Sequence, residues 1–416
     1  MTRTLCTWRS RLCPDAIAAL DGGIFALGSY HLDTATGRKT GELTLLTARA
    51  TTPEAAETST CSDTTAELAP GQLGDSPLSW APQWSGECDA VFDVRACGAR
   101  VLASASAGGA RVDLWSLERG AMEEGADSPA RLDPRASLLL TPDALEVSAL
   151  CVESHGGSGE QGLSTGACGQ APLSRDPSDV ELAVSRSDGC ISLCAGGGQA
   201  PLREVASWRA HSLAGCPIEV WCLAAPPPYA GGGGGGAGGV ASTTLWSGGD
   251  DGCLKGWDTR VGGSAPTFVS ASSHGSGVTS IAWHPARQHC VATGSYDESV
   301  RLWDARAVGR GPTAQLSVGG GVWRLRLHPS QGELLAAACM YGGARVLLLE
   351  GGGEAEAPEV LASAAHHTRH ESITYGLEWV APSMLPAATT REGGALGSFA
   401  LATCSFYDRG LHLWRV

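Results

Sequence analysis

Two segments of the chain carry histidine, hydroxyl, carboxylate and tryptophan residues in the same order. The sets are His211, Ser247, Asp251 and Trp257, and then His274, Thr293, Asp297 and Trp303. A hydroxyl, an imidazole and a carboxylate could form a hydrolytic triad, in which the histidine removes the proton of the nucleophile. The same residues could instead form a structural hydrogen-bond chain within each unit of a repeat protein. We interpret both sets as structural, because the pattern recurs at the spacing of a repeat.

The elements that must position these residues are repeats of short strands. Residues 245–258 recur with close similarity as residues 291–304, and the tryptophans near their ends, Trp257 and Trp303, are 46 residues apart. Weaker copies begin near residues 25, 102, 182, 335 and 401. A period of about 40–45 residues that ends in Trp-Asp is typical of WD40 propeller blades. The sequence therefore predicts an all-β, seven-bladed WD40 β-propeller.

One such ring uses the whole chain, so residues 1–416 are predicted to form a single domain. Residues 4–8 are expected to supply the outer strand of the last blade and to close the ring. The remaining length lies in segments rich in Gly, Pro, Ala, Ser, Thr or Glu, which predict loop insertions, several of them glycine-rich. These insertions are placed near residues 49–79, 118–135, 153–178, 226–240, 350–358 and 381–398.

Composition limits the classes of function. The formal net charge is −14 and Lys and Arg do not cluster, which argues against direct binding to nucleic acid. No run of 18 apolar residues is present, so we expect no membrane span and no membrane partner. The fifteen cysteines are scattered without a C-x-x-C pair. This usage fits a reducing cytosol or nucleus better than a disulfide-bonded protein, and we expect a cytoplasmic location.

A group of histidines before the last repeat contains residue types that bind metals. His366, His367 and His370 provide one His-x-x-His spacing, and no further ligand lies nearby in the sequence. Such a spacing alone is a weak metal signal. We therefore predict loop histidines, no metal and no cofactor.

A set of rim residues follows from aligning the turns of the seven repeats. In WD40 rings the residue before the turn aspartate points toward the mouth of the central channel. The seven positions are Tyr30, Ala107, Ser187, Asp250, Tyr296, Met340 and Tyr407. Three tyrosine rings and a carboxylate suit a cationic ligand, above all a quaternary ammonium ion, through cation–π attraction. An ordinary protein-docking face is the favoured alternative on these residues alone, because tyrosine and methionine are also enriched at interfaces.

Several strings that go beyond the repeat consensus resemble one family. They lie at residues 205–211, 247–261, 292–298, 320–325, 336–340 and 401–408. The most specific are Gly-Gly-Val-Trp-Arg at residues 320–324 and Thr-Cys-Ser-Phe-Tyr-Asp at residues 403–408. Together they resemble the WD-repeat diphthine methyl-ester hydrolases (diphthine methylesterases) of diphthamide biosynthesis. The similarity is close from about residue 200 to residue 416 and thin before that.

The resemblance implies an enzyme that acts on translation elongation factor 2 as its protein partner. In that family the substrate is a modified histidine with a trimethylammonium group and a methylated carboxylate, and the enzyme removes the methyl ester. The resemblance suggests a ligand for the rim: Tyr30, Tyr296 and Tyr407, together with the carboxylate of Asp250, could hold the trimethylammonium group. Met340 and Trp323 are further candidates for substrate binding.

Ester hydrolysis would also need a base, a nucleophile or activated water, and donors for the oxyanion. In the strings that resemble the family, His367 could act as the base and Ser372 as a nucleophile or donor. Asp250 is an alternative base, and Arg324 could face the oxyanion or the product carboxylate. His367 also aligns with the usual histidine of a blade, so a structural role for it stays open.

A non-catalytic scaffold is the alternative function. Residues 257–260 and 303–306 both fit the Trp-Asp-x-Arg pattern of propellers that serve as substrate receptors of cullin-RING ubiquitin ligases. This alternative would add a ubiquitin-ligase adaptor to the partners. The two functions differ in turnover, because a receptor binds its target without changing it.

Overall fold

Seven antiparallel sheets of four strands follow one another around a central axis. The computed structural model describes residues 2–20, 23–50, 78–98, 100–119, 129–154, 179–227, 243–263, 265–271, 273–351, 360–381 and 399–416. Each sheet is one blade, and the first strands of neighbouring blades contact one another around the ring. The predicted all-β, seven-bladed WD40 β-propeller is therefore confirmed.

The first three blades take their strands in chain order from the inside outward. Blade one contains β2 (Cys13–Leu20), β3 (Ile24–Leu32), β4 (Lys39–Ala50) and β5 (Leu78–Cys88). Blade two contains β6 (Val91–Ala96), β7 (Val101–Ser106), β8 (Arg111–Arg119) and β9 (Ala130–Leu139). Blade three contains β10 (Ala149–Ser154), β11 (Val180–Arg186), β12 (Cys190–Gly196) and β13 (Arg203–Arg209). A two-residue hairpin, β14 (Ser212–Leu213) with β15 (Cys216–Pro217), leads to the next blade.

The next three blades repeat this arrangement. Blade four contains β16 (Val220–Ala224), β17 (Thr244–Gly249), β18 (Leu254–Asp258) and β19 (Phe268–Ser270). Blade five contains β20 (Val278–Trp283), β21 (Cys290–Ser295), β22 (Ser299–Asp304) and β23 (Ala314–Ser317). Blade six contains β24 (Arg324–Leu327), β25 (Leu334–Ala338), β26 (Ala344–Glu350) and β27 (Val360–His367). Short 3₁₀ turns at Thr259–Val261 and Val308–Arg310 follow the Trp-Asp pairs of blades four and five.

Blade seven joins the two ends of the described chain. It contains β28 (Thr374–Val380), β29 (Ala400–Ser405), β30 (Gly410–Arg415) and, outermost, β1 (Arg3–Arg9). In the antiparallel pair of β1 and β30, Thr4 lies opposite Trp414 and Trp8 opposite Leu411. The prediction that residues 4–8 close the ring is confirmed, and the closure removes an open sheet edge.

The hydrophobic core is divided into seven clusters, one at each interface between neighbouring blades. Side chains alternate between the two faces of a strand, so each blade contributes to two clusters. Trp303 and Trp414 are among the largest fully buried side chains. Burying one apolar side chain contributes about 1.5–3 kcal/mol, and the ring depends on all seven interfaces.

A β-bulge near the start of the innermost strand occurs in six of the described blades. The strand register shifts within residues 14–16, 91–93, 149–151, 220–222, 278–280 and 374–377. A bulge re-aims a side chain out of the regular alternation. The bulged positions include Asp15, Phe92, Trp221 and Tyr375, and Trp323 directly precedes β24 at the equivalent place in blade six. These residues share the end of the ring at which the channel opens beside the turns.

The predicted insertions lie mostly outside the described residues. The insertion placed at 118–135 is partly wrong, because residues 130–135 belong to β9 and residues 118–119 to β8. The burial pattern of β9 shows why, since Ala130 and Leu132 pack on blade one while Ala136 and Leu138 pack toward blade three. Within the described residues, no helix has the length and apolar character needed to cross a membrane.

Candidate functional site

The His, Ser or Thr, Asp and Trp sets of blades four and five form closed hydrogen-bond chains. In blade four, His211 Nδ1 lies 2.8 Å from Asp251 Oδ1 and His211 Nε2 lies 2.8 Å from Ser247 Oγ. Trp257 Nε1 donates to the same hydroxyl at 2.8 Å. Because Ser247 is fully buried, it cannot meet a substrate. The structural interpretation of this set is confirmed.

Blade five repeats the chain with threonine in place of serine. His274 lies 3.0 Å from Asp297 Oδ2 and 2.7 Å from Thr293 Oγ1, and Trp303 Nε1 donates to that hydroxyl at 2.8 Å. Burial lowers the pKa of His274 to about 4 even though the Asp297 carboxylate acts in the opposite direction. The imidazole is therefore neutral at physiological pH. The chain of hydrogen bonds joins the turn that carries Asp297 to the strands that carry Thr293 and Trp303.

The mouth of the central channel is lined by a continuous series of aromatic rings, which we call the aromatic arc. In spatial order it consists of Phe92, Tyr30, Phe406, Tyr375, Trp323, Tyr296 and Trp221. Neighbouring ring centroids are between 4.7 and 6.1 Å apart. All members except the buried Phe406 are partly exposed. Edge-to-face and tilted contacts of this kind stabilise a fixed cluster.

Trp323 is the centre of the aromatic arc. Its ring lies 4.7 Å from Tyr375, 5.6 Å from Trp221 and 6.1 Å from Tyr296, measured between centroids. Its indole Nε1 donates to Asp15 Oδ1 at 3.2 Å. Blade six thus contacts blades four, five, seven and one through a single side chain at the mouth.

Asp15 is the carboxylate beneath this tryptophan, and only 2% of it is exposed. Burial raises the pKa of Asp15 to about 7, while Arg324 and the Trp323 hydrogen bond oppose that rise and Asp93 adds to it. A buried carboxyl that titrates near neutral pH is a frequent mark of a functional site. A positive ligand at the mouth would favour its ionised form.

The sequence-predicted rim residues divide into two groups. Tyr30 and Tyr296 belong to the aromatic arc, and Asp250 accepts a hydrogen bond from Trp221 Nε1 at 3.0 Å. Met340 and Tyr296 both approach Gly321, which places them side by side. The structure therefore brings these four positions to the mouth.

The other rim positions contribute less to the mouth. Tyr407 is 68% exposed and contacts the arc only through Phe406, at 5.0 Å between centroids. Ala107 is buried, and the Ser187 hydroxyl accepts a hydrogen bond from the backbone N–H of Ser148. Neither Ala107 nor Ser187 makes a described contact with the aromatic arc.

Arg324 lies below the mouth, in a buried ion pair with Asp93. Its Nη1 is 3.2 Å from Asp93 Oδ1, and both side chains are more than nine-tenths buried. Blades two and six face each other across the ring, so this pair spans the channel. Burial alone would raise the pKa of Asp93, but the positive charges of Arg324, Arg95 and Arg326 hold it below its ordinary value. Arg324 thus has a carboxylate partner already, and the structure does not place it on the rim.

His367 and Ser372 do not form a base and nucleophile pair. His367 is fully buried at the end of β27 and stacks on Trp414, with centroids 4.8 Å apart. Ser372 Oγ accepts from the backbone N–H of Tyr407 at 3.2 Å. Among the described contacts, no hydrogen bond joins His367 to Ser372.

The alignment of His367 with the usual blade histidine is wrong. His370 takes that place, because its Nε2 lies 2.8 Å from Thr403 Oγ1, to which Trp414 Nε1 also donates at 3.2 Å. His367 precedes it by three residues and stacks on the blade tryptophan. His366 is separate again, since its Nε2 donates to the carbonyl of Gly342 at 2.8 Å.

The two Trp-Asp-x-Arg motifs have the same geometry on adjacent blades. Arg260 binds Asp258 and Arg306 binds Asp304, each with a guanidinium nitrogen 2.6 Å from the carboxylate. About half of each arginine side chain is exposed. Binding of a ubiquitin-ligase adaptor to these two motifs stays a prediction. The cytoplasmic location also stays a prediction.

Comparison with known proteins identifies the family. The sequence profile of the WD domain, G-beta repeat, matches residues 267–304. The human protein named diphthine methyltransferase is 32% identical over 356 residues, which cover 68% of this chain and 70% of the human protein. The chain belongs to the diphthine methyltransferase family.

Two further members match a shorter part. The mouse diphthine methyltransferase is 39% identical over 46% of this chain and 36% of its own length. The Dictyostelium discoideum homologue is 32% identical over 41% of this chain and 46% of its own length. These alignments thus span less than half of either relative's length.

A solved structure supports the fold alone. A chain of the crystal structure of the mitotic checkpoint complex superposes with a TM-score of 0.59 and 14% identity, covering all of this chain and 95% of that one. At this level of identity the likeness is one of architecture.

Family membership agrees with the predicted link to diphthamide biosynthesis but contradicts the predicted reaction. The relatives are named for methyl transfer to diphthine, whereas the sequence analysis predicted removal of a methyl ester. The prediction of a methyl-ester hydrolase is therefore wrong on this comparison. Its basis was the resemblance and not a catalytic geometry, and the contacts of His367, Ser372 and Arg324 supply none. The scaffold alternative gains no better support from these relatives.

Several residues at the mouth were missed by sequence reasoning. Asp15, Phe92, Trp221 and Tyr375 lie at the bulged start of an inner strand, whereas the sequence analysis aligned only the turns. Aligning the first residues of the inner strands would have found them, because Trp323 occupies the same position in blade six.

Proposed function

We propose that this protein is an enzyme of diphthamide biosynthesis that binds diphthine, presented by translation elongation factor 2, at the channel mouth. Two observations support the proposal. Its curated relatives are named for diphthine, and the aromatic arc offers a surface for the trimethylammonium group of that side chain. The observation that carries it is the arc, with Asp15 beneath it and Asp250 beside it.

A trimethylammonium group has no N–H to donate, so hydrogen bonds cannot recognise it. It is bound instead by the negative faces of aromatic rings and by nearby negative charge, with about 0.5–2 kcal/mol for each ring. Trp323, Trp221 and Tyr296 are half-buried and mutually in contact, so their positions are fixed before the ligand arrives. Pre-formed positions lower the entropy cost of binding.

The carboxylates supply the charge. Asp250 is exposed and hydrogen-bonded to Trp221, so it can attract the cation while it orients one ring. Asp15 is buried and bonded to Trp323, and a cation bound above it would favour its ionised form. The net charge of −14 acts in the same direction over longer distances. The proposed reaction at the bound side chain is methyl transfer, the activity that appears in the names of the relatives.

Calorimetry of the full chain with diphthine-bearing elongation factor 2 tests the proposal. Trp323→Ala should weaken binding by about 2-fold to 30-fold, the equivalent of one cation–π contact. Trp84→Ala is the matched control, because Trp84 is also partly exposed but contacts Trp115 away from the arc. Equal affinity for elongation factor 2 without diphthine, or equal loss in both variants, would refute recognition at the arc.

The role of Asp15 has its own signature. Because burial raises the pKa of Asp15 to about 7, affinity for the trimethylammonium group should rise as pH increases from 6 to 8. Asp15→Asn keeps a hydrogen-bond acceptor for Trp323 but stays neutral, so it should bind equally at both pH values. A wild-type affinity that does not change with pH would exclude Asp15 as a counter-charge.

Activity is tested separately from binding. Mass spectrometry of the diphthine side chain, with and without a sulfonium methyl donor, should show a change in its methyl content that requires this protein. Binding without any such change would make the protein a scaffold and would overturn the assignment as an enzyme.

A further inference from the structure

Three histidines meet where the outer strand of blade six lies against blade seven. His367 ends β27, His370 follows in the next loop, and His412 lies in β30. One ring nitrogen of each lies within 4.8 Å of those of the other two. We call this group the histidine cluster. His367 Nε2 and His412 Nδ1 are 3.1 Å apart, so one imidazole donates to the other.

The hydrogen-bond chain of blade seven lacks the bond that closes the chains of blades four and five. His370 Nε2 bonds the Thr403 hydroxyl, as the other blade histidines bond theirs. The turn carboxylate Asp408, however, accepts from the backbone N–H of Glu371 and from donors in its own turn. His370 Nδ1 is therefore buried without a hydrogen-bond partner in the described part of the chain.

A second ring nitrogen of the cluster also lacks a hydrogen-bond partner. His367 Nδ1 is buried and has no hydrogen-bond partner among the described residues. Buried polar atoms without partners are rare, because each has given up a bond to water. In this part of the chain no carboxylate is hydrogen-bonded to any ring of the cluster. Such a site suits a ligand that accepts lone pairs.

The position of His412 has a counterpart in the other blades. It lies four residues after Asp408, as Lys255 follows Asp251 and Arg301 follows Asp297. Those blades place a permanent cation beside the turn carboxylate. Blade seven places an imidazole there instead, and an imidazole can also bind a metal.

We propose that the histidine cluster binds one Zn²⁺ ion through a nitrogen of each of its three rings, with a fourth position for water. Imidazole is a preferred zinc ligand, and three protein ligands with an open fourth position is a known arrangement. Two nitrogens on a tetrahedral zinc lie about 3.3 Å apart, from Zn–N bonds of about 2.0–2.1 Å. The 3.1 Å separation of His367 Nε2 and His412 Nδ1 is close to this value. The ion would replace the hydrogen bond between these two nitrogens, and each ring would then carry its proton on its other nitrogen, which for His367 is Nδ1.

The third ligand requires a rotation. The His370 and His412 rings are stacked, with centroids 4.0 Å apart and planes at 11°, so their lone pairs do not yet converge. His370 Nδ1 has no hydrogen bond to lose, but a rotation of the ring toward the ion would break the bond of its Nε2 to Thr403. The ion would tie β27 of blade six to β30 of blade seven. His412 lies opposite Thr7 of the closing strand, so bound zinc would stabilise the ring where its ends meet.

Zinc titration of the full chain, after removal of metals with a chelator, tests the proposal. We expect one equivalent of Zn²⁺ per chain with a sub-micromolar Kd and a rise of several degrees in Tm. His412→Arg, which copies the residue type of blade five, should fold and lose this binding by 100-fold or more. His367→Phe, which keeps a ring against Trp414, should do the same and serves if the first variant fails to fold.

The control is His366→Ala, since His366 neighbours the cluster but bonds Gly342 instead. It should bind zinc as the unchanged protein does. Absence of stoichiometric binding would overturn the proposal. So would binding that survives both cluster variants, because the zinc would then lie on other residues, such as the cysteines. Neither readout depends on diphthine or on enzyme activity.

Discussion

Blades five and seven have the same four strands and the same tryptophan-to-threonine hydrogen bond, yet their histidines differ. In blade five, both nitrogens of His274 are bonded, one to Asp297 and one to Thr293. In blade seven, His370 keeps the threonine bond but lacks the carboxylate, and two more imidazoles lie beside it. The same strand arrangement thus holds a closed hydrogen-bond chain in blades four and five and an open one in blade seven. In blade seven, a histidine of the repeat thus keeps one ring nitrogen without a hydrogen-bond partner among the described residues.

The closed hydrogen-bond chain of blade five should show the greatest loss of stability on substitution. His274→Ala should lower the free energy of unfolding by about 3 kcal/mol, because it leaves Thr293 and Asp297 without their shared partner and each lost partner costs about 1–3 kcal/mol. Denaturant unfolding without metal measures the change. In blade seven, the matched change His370→Ala should cost about 1.5 kcal/mol, since His370 has one bonded partner, Thr403, and its Nδ1 has none to lose. Equal losses would erase the distinction between the two blades.

Acidification should destabilise both blades, and blade seven over a slightly wider pH range, because the pKa of His274 in blade five is lowered only to about 4. His367 has a pKa of about 3 in the folded protein, against 6.5 when unfolded, so only the unfolded chain takes up a proton between these values. The free energy of unfolding therefore falls as pH drops from about 6.5 toward 3, by up to about 1.4 kcal/mol per pH unit for each such histidine. His367→Phe should make that slope shallower by about this amount. A slope unchanged by the substitution would show that His367 titrates normally.

The smallest effect is expected for restoring the cation of blade five. Without metal, His412→Arg should change the free energy of unfolding by less than about 1 kcal/mol, because a partly exposed ion pair with Asp408 offsets the loss of the hydrogen bond to His367. Arg301 makes the equivalent pair with Asp297 at 3.5 Å. A loss of several kcal/mol would mean that His412 is needed for folding itself.

Repetition explains what could be predicted. The Trp-Asp period, the seven units and the closing strand at residues 4–8 follow from local pattern, and the structure confirms them. The hydrogen-bond chains of blades four and five follow for the same reason, because His211 and His274 each occupy an equivalent place in a repeat.

The remaining site residues could not be predicted, because they lie where the chain departs from the regular repeat. A register shift in the pairing of β26 with β27 and the following loop put His370, rather than His367, in the blade position. His412 joins the cluster from a strand 42 residues beyond His370, which His-x-x-His spacing cannot reveal. Asp15 reaches Trp323 only because a bulge turns it toward the axis and because the ring brings blade one next to blade seven.

The ion pair of Asp93 and Arg324 affects how far a ligand can enter the central channel. It crosses the axis just beneath the aromatic arc, since each of its residues follows a residue of the arc in the chain. The pair thus places one positive and one negative side chain across the axis below the opening. Under the proposed function, a diphthine side chain that enters at the arc therefore meets this ion pair as it moves along the axis.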